Sequence, residues 1–245
     1  MPDKLNLLAV FLEEKRMRLK GGLYHTTQVK LSYNSNRIEG SCLSEEQTRY
    51  IFETNTIDTP TGEAADVDDI IETVNHFACF DYMLEHAGNA LSEDMIKEYH
   101  RILKSGTSAS RSEWFRTGDY KARPNAVGET KTTPPGKVAA EMGKLLSGYG
   151  QKRDICIGDI IDFHVRFEGI HPFQDGNGRV GRMIMFKECL KNNVMPFIIG
   201  HEHKLFYYRG LKEYGSEKGY ITDTCLSAQD AYEKLVRYFF PDIIL

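Results

Sequence analysis

The chain has 245 residues, 41% hydrophobic and 27% charged, with 31 Lys+Arg against 35 Asp+Glu and a formal net charge of -4. That length buries a sizeable core as one large domain or two small ones, and the charge balance gives no basic footprint for direct nucleic-acid binding. Five cysteines (Cys42, Cys79, Cys156, Cys189 and Cys225), odd in number, widely spaced and without a Cys-x-x-Cys, indicate neither a disulfide framework nor a structural zinc site, and point to a reducing, cytoplasmic setting.

From the N-terminus, the apolar run Leu5 to Leu12, broken by Asn6, leads directly into EEKRMR with no basic region before it. It reads as an amphipathic helix and not as a leader. No stretch reaches the ~18 apolar residues of a membrane span. Ser35 and Glu39 stand four apart and share a helical face, with Gly40 placed to stop the helix. Glu39 is thereby left in a last turn, at the negative end of the helix dipole, where a carboxylate is disfavoured.

Ser44 to Gln47 (SEEQ) is a capping-box pattern, and Ser92 precedes the acidic pair Glu93-Asp94 of another helix start. Apolar stripes at helical spacing run through Val67, Ile70, Ile71, Val74, Phe77 and Ala78, and through Ile157, Ile160, Ile161, His164 and Phe167. Strand alternation is scarce, so the expected class is all-α. The exception is Thr117 to Lys137, rich in Gly, Pro, Thr and Asn and ended by Pro134-Pro135. It predicts a short hairpin or extended loop, long for a mere connector and therefore a candidate flap.

The densest chemistry lies in IHPFQDGNGRVGR, Ile170 to Arg182. Pro172 disfavours helix at His171, so one helix ends near Gly169 or Ile170, and a second begins after the turn with Val180, Met183, Ile184 and Leu190 on its buried side. A helix start presents free amides and a positive dipole end, and Gly176 and Gly178 let that backbone approach an anion. Arg179 and Arg182 in the same first turn are disfavoured unless negative charge is nearby, which predicts a phosphate-rich ligand. Asp175 alone cannot hold a metal tightly, but Mg²⁺ takes one or two carboxylates and completes its shell with water and phosphates. His171 is the candidate general base. GNGRVG also fits the GxGxxG dinucleotide fingerprint, but that fingerprint follows a strand and here follows a helical period.

HPFQDGNGRVGR resembles the signature of the Fic (Fic/Doc) family, His-Pro-Phe-x-Asp/Glu-Gly-Asn-Gly-Arg-x-x-Arg, at every fixed position. The resemblance extends over Glu63 to Phe206 and implies a Fic-type helical bundle with a short β-hairpin flap. It further implies N-terminal helices over 1–62, a catalytic core over 63–206 and a C-terminal helical extension over 207–245. The implied activity is transfer of AMP from ATP, with Mg²⁺ or Mn²⁺, to a Tyr, Thr or Ser hydroxyl of a protein target, the protein itself included.

Carried over by position, the resemblance makes His171 the base and Asp175 the metal ligand. Gly176, Asn177, Gly178, Arg179 and Arg182 would bind the phosphates of ATP, and Tyr207 and Tyr208 would lie near the adenine. Val127, Gly128, Glu129 and Thr130 would form the target-binding flap. SNRIEG, Ser35 to Gly40, resembles the family's inhibitory motif, Ser/Thr-x-x-x-Glu-Gly/Asn, which makes Ser35 and Glu39 its inhibitory residues. Pairing Glu39 with Arg182 would relieve the unfavourable charge at both helix ends and deny that arginine to the γ-phosphate. AMP removal, transfer of another phosphate-containing group, and a nucleotide-binding regulatory module are the alternatives. A homo-oligomer is left open.

Overall fold

The computed structural model describes residues 5–59, 64–128 and 130–242. Over them the chain is all-α, with ten helices and one small hairpin. In order these are α1 (Leu7–Met17), α2 (Leu23–Glu39), α3 (Glu45–Thr54), α4 (Val67–Glu85), α5 (Glu93–Lys104), the strands β1 (Ala126–Val127) and β2 (Thr130–Lys131), α6 (Pro135–Gly150), α7 (Ile157–Ile170), α8 (Asn177–Lys191), α9 (Lys204–Glu213) and α10 (Gly219–Phe239). The boundary residue Glu63 lies outside the described residues.

Local chemistry explains the helix ends. Asn6, Ser44, Asp66 and Ser92 each accept a hydrogen bond from a first-turn amide, and Ser44 with Gln47 completes the capping box. Gly40 closes α2 in the left-handed region at φ 111, a conformation that glycine adopts without a Cβ penalty.

α8 is the axis of the molecule. Every residue from Asn177 to Leu190 is buried, and the helix is packed by α7, α5, α2, α4 and α1. The single apolar face expected through Val180, Met183, Ile184 and Leu190 is therefore one part of a helix enclosed on all sides. Phe11 of α1, Phe80 of α4, Tyr99 of α5, Phe167 of α7, Phe186 of α8 and Val236 of α10 join one core cluster, so segments from both ends of the chain share it. Phe80 and Phe186 meet edge to face at 5.5 Å. Truncating such a ring typically costs about 3–5 kcal/mol.

The face that α4 buries differs from the expected one. Val67, Val74 and Ala78 are exposed, while Thr73, His76, Phe77, Phe80, Met83 and Leu84 point inward. The rotation follows from buried polar pairing with α2: Ser32 Oγ lies 2.9 Å from His76 Nδ1, and Asn36 Nδ2 donates to Thr73 Oγ1 at 3.3 Å. Paired in this way, polar side chains take core positions that an apolar count gives to valines.

The hairpin pairs β1 with β2 antiparallel, Val127 opposite Thr130. Gly128 sits in the turn at φ 58 and not in a strand. Glu129, expected to belong to the flap, lies outside the described residues.

Candidate active site

The exit of α7, the last turn of α2 and the facing sides of α4 and α5 converge on the start of α8. α7 ends because Pro172 follows His171, and His171 takes a left-handed conformation (φ 52, ψ 62) while its N–H still donates to Phe167 O at 2.9 Å. The loop beyond it is fastened inside itself. Asn177 Nδ2 donates to Phe173 O at 2.9 Å and Asn177 Oδ1 accepts from Phe173 N–H at 2.8 Å, so that amide serves the loop and only its backbone faces a ligand. Gly176, left-handed at φ 81, turns the chain into α8, whose first amides have no side-chain cap. They are available to an anion.

His100 clamps the loop from α5. Its ring stacks on Phe173 at 4.0 Å, its Nδ1 accepts from Gly118 N–H at 2.9 Å, and its Nε2 lies 3.1 Å from Asp175 O. Since Nδ1 accepts, the proton belongs on Nε2, which donates to the carbonyl. Burial lowers the pKa of His100 to about 3. The imidazole stays neutral and this tautomer is fixed.

Both arginines already have carboxylates. Arg182 donates from Nε to Ser35 Oγ (3.0 Å), and from one terminal nitrogen to Ser35 O (2.9 Å) and Glu39 Oε1 (2.7 Å). Arg179 is paired with Glu72 of α4 and lies 3.6 Å from Asp175. Lys104 of α5 joins Glu72 and, at 2.6 Å, Asp175 Oδ2. The resting site is thus two charge clusters, Glu39–Arg182 and Glu72–Lys104–Asp175–Arg179. The charge of both arginines is thus met within the chain, by Glu39 and Glu72, in the absence of a ligand.

The glycines of the helix leave room for these groups. A Cβ on Gly178 would collide with the Glu39 carboxylate and come within 2.9 Å of Arg182, and one on Gly181 would meet Glu168 Oε1 at 2.6 Å and His164 Nδ1 at 2.8 Å. The Glu39 carboxylate therefore rests over the first turn of α8, where an anionic ligand would be received. Among the described residues, one terminal nitrogen of Arg182 and the Nε of Arg179 are buried without a partner.

Residues 90–189 match the model of the Fic/DOC family. Over that stretch the chain is similar to Fic/DOC domains. It is 26% identical over 183 residues to a protein adenylyltransferase Fic of Culex quinquefasciatus, covering 72% of this chain and 35% of that protein. It is 25% identical over 185 residues to protein adenylyltransferase fic-1 of Caenorhabditis elegans, covering 73% and 35%. The chain thus spans about a third of the length of these curated relatives. A Fic domain containing signaling protein from Bacteroides thetaiotaomicron superposes with a TM-score of 0.71 at 19% identity, over 93% of this chain and 92% of that one. A Fic family protein from Desulfovibrio desulfuricans does so at 0.72 and 21%, over 94% and 72%. These likenesses establish a Fic fold.

Within the matched stretch, Asp175 is half exposed, and against the effect of burial Arg179, Lys104 and the amide of Gly176 hold its pKa down at about 2. Among the described residues no three His, Cys, Asp or Glu side chains gather as a metal site. The ionised, half-exposed Asp175 carboxylate, once released by Lys104, fits Mg²⁺ that would draw its remaining ligands from phosphates and water. His171 is one-fifth exposed, and burial, then the neighbouring Lys121, lowers its pKa to about 4. Among the described residues its Nδ1 has no hydrogen-bond partner, and it lies 3.8 Å from Glu168 Oε2. Burial, then Glu39, raises the pKa of Glu168 to about 8.

Of the tyrosine pair, Tyr207 is enclosed at 1% exposure with its OH 2.7 Å from His164 Nε2, while Tyr208 is 37% exposed and donates to Ile38 O at 3.2 Å. Tyr207 is thus a core residue beneath the site, and Tyr208 alone opens outward. The sequence reading missed Glu72, Lys104, His100 and Glu168. The last was within reach, since it stands three residues before His171 on the same helical face.

Proposed function

We propose that the chain is a self-inhibited protein adenylyltransferase. ATP would lie along the first turn of α8, its phosphates cradled by the loop Gly176, Asn177 and Gly178, on the amides of Asn177 and Gly178, and on the guanidinium groups of Arg179 and Arg182. Asp175 would hold Mg²⁺ (or Mn²⁺), which supplies charge neutralisation on the phosphates. His171, unprotonated at neutral pH, would take the proton from a Tyr, Thr or Ser hydroxyl of a target protein as that oxygen bonds to the α-phosphorus. The bond from the α-phosphorus to the bridging oxygen breaks and pyrophosphate leaves. Most of the catalytic effect is positioning and charge stabilisation. The hairpin Val127, Gly128, Glu129 and Thr130 would receive the target backbone as an added strand.

The observation that carries the reading is the Glu39 carboxylate on Arg182 over Gly178. A γ-phosphate and Glu39 compete for that guanidinium, so the described arrangement supports a resting state in which ATP is held badly placed for attack. The names of the relatives support the same reaction class.

The test is incubation with Mg²⁺ and cell lysate, using ATP labelled on the α-phosphate in one arm and on the γ-phosphate in the other. Protein labelled only from the α-position supports AMP transfer. Label from the γ-position alone would replace it with a kinase-like reaction, and loss of AMP from a pre-modified target would replace it with AMP removal.

A further inference from the structure

Lys121 lies outside the signature and outside both charge clusters, yet it is buried at 3% exposure. Its Nζ donates to Asn125 Oδ1 at 2.6 Å and Thr132 Oγ1 at 2.7 Å, and lies 3.4 Å from Ile170 O. Its backbone N–H donates to Pro172 O at 2.9 Å. Asn125 immediately precedes β1 and Thr132 immediately follows β2. Thr132 Oγ1 itself donates to Asn125 O at 3.0 Å, so the ammonium and this hydroxyl together close the root of the hairpin.

Ile170 and Pro172 are the residues on either side of His171. The fastening is doubled by Asn125 Nδ2, which donates to Phe173 O at 3.0 Å, and by Arg123 N–H, which donates to Gln174 Oε1 at 3.3 Å. Among the described residues no carboxylate pairs with Lys121, whose oxygen partners are all neutral. A buried cation without a counter-ion is an expensive way to tie a loop that neutral groups alone could tie.

We propose that Lys121 is a positioning residue that fastens both strands of the flap to the segment carrying His171 and places a positive charge beside that imidazole. A target strand paired to the hairpin then arrives in fixed register with the base. The kinetic part of this inference rests on the adenylyl-transfer reading, whereas the geometric part does not.

The charge has a consequence for protonation. Burial lowers the pKa of Lys121 to about 8, so the cation persists at neutral pH. The charged groups facing His171 are Lys121, which opposes its protonation, and Glu39 and Asp175, which favour it; Glu168 favours it through its backbone, the pKa of its carboxyl being raised to about 8.

Two variants separate the roles. Lys121→Met removes the charge and its ties, and Thr132→Val removes the hydroxyl's ties to Lys121 and Asn125 and leaves the charge. In histidine-labelled protein followed by NMR, the titration midpoint of His171 should rise by about half a unit or more in Lys121→Met and stay in place in Thr132→Val. In a Glu39→Gly background, where turnover is measurable, both variants should raise KM for the protein target by about tenfold or more, with the ATP dissociation constant within about twofold of the parent. An unmoved midpoint in folded Lys121→Met overturns the proposal, as does a target KM within about twofold of the parent in both variants. If the parent transfers no AMP, the adenylyl-transfer reading fails and the titration still decides the role of Lys121.

Discussion

Arg179 and Arg182 occupy the end of α8 least suited to a cation, and both are nonetheless buried. The site resolves this by giving each arginine a carboxylate from a different helix, Glu72 from α4 and Glu39 from α2. Lys104 answers Asp175 in the same way. A metal at Asp175 must therefore displace a lysine that retains Glu72 as its alternative partner. Asp175→Ala should lower ATP affinity by roughly tenfold to a hundredfold in excess Mg²⁺, from the ~1.5–3 kcal/mol of a charged contact. With a chelator present, affinity should hold or rise, because Lys104 is released toward the phosphates. Calorimetric titrations that show equal loss in both conditions would make Asp175 structural. The sequence exposed the motif residues and the complementary problems of Glu39 and Arg182, since both are local facts about helix ends. Glu72 and Lys104 stayed hidden because each acts through a partner far along the chain, and nothing in their own neighbourhoods marks them.

At the scale of elements, α8 presents free amides because Gly176 turns the chain without capping it, and the α7 exit presents His171, the proposed base, because Pro172 ends that helix. Both were legible from glycine and proline positions. The buried face of α4 was not, because Thr73 and His76 become core residues only through their partners on α2. The flap was legible as a turn-rich segment, but its register was not, and Gly128 lies in the turn and not on the edge. Its positive φ is closed to proline, so the docking test belongs to β1. Val127→Pro should reduce modification of a protein target by about tenfold or more and leave ATP affinity within about twofold, because proline removes an N–H and disturbs strand pairing. Unchanged target modification by this folded variant would leave the hairpin a connector.

On the scale of the whole molecule, burial sets a pH window. Burial lowers the pKa values of His76, His100 and His164 to about 3 and that of His171 to about 4, so from roughly pH 6.5 downward the unfolded chain binds more protons than the folded one. Stability should fall as pH falls through that window, by about 1.4 kcal/mol per unit for each group. Glu168 has the opposite sign: its raised pKa favours the fold at low pH, and that contribution is lost as pH rises through about 8. Urea unfolding free energies at pH 7, 6 and 5 should drop by a few kcal/mol across the series, and a flat series would contradict the buried neutral histidines. The same whole-molecule coupling ties α2 to α8 through Glu39 and Arg182, and the most direct test of self-inhibition is AMP transfer by Glu39→Gly, with Glu39→Gln as the variant that keeps a helix-forming residue. A half-buried, hydrogen-bonded charge pair of ~1.5–3 kcal/mol predicts a rise of roughly tenfold to a hundredfold in both, cancelled when Arg182→Ala is added. Parent-level transfer of labelled AMP by both folded variants would contradict the account.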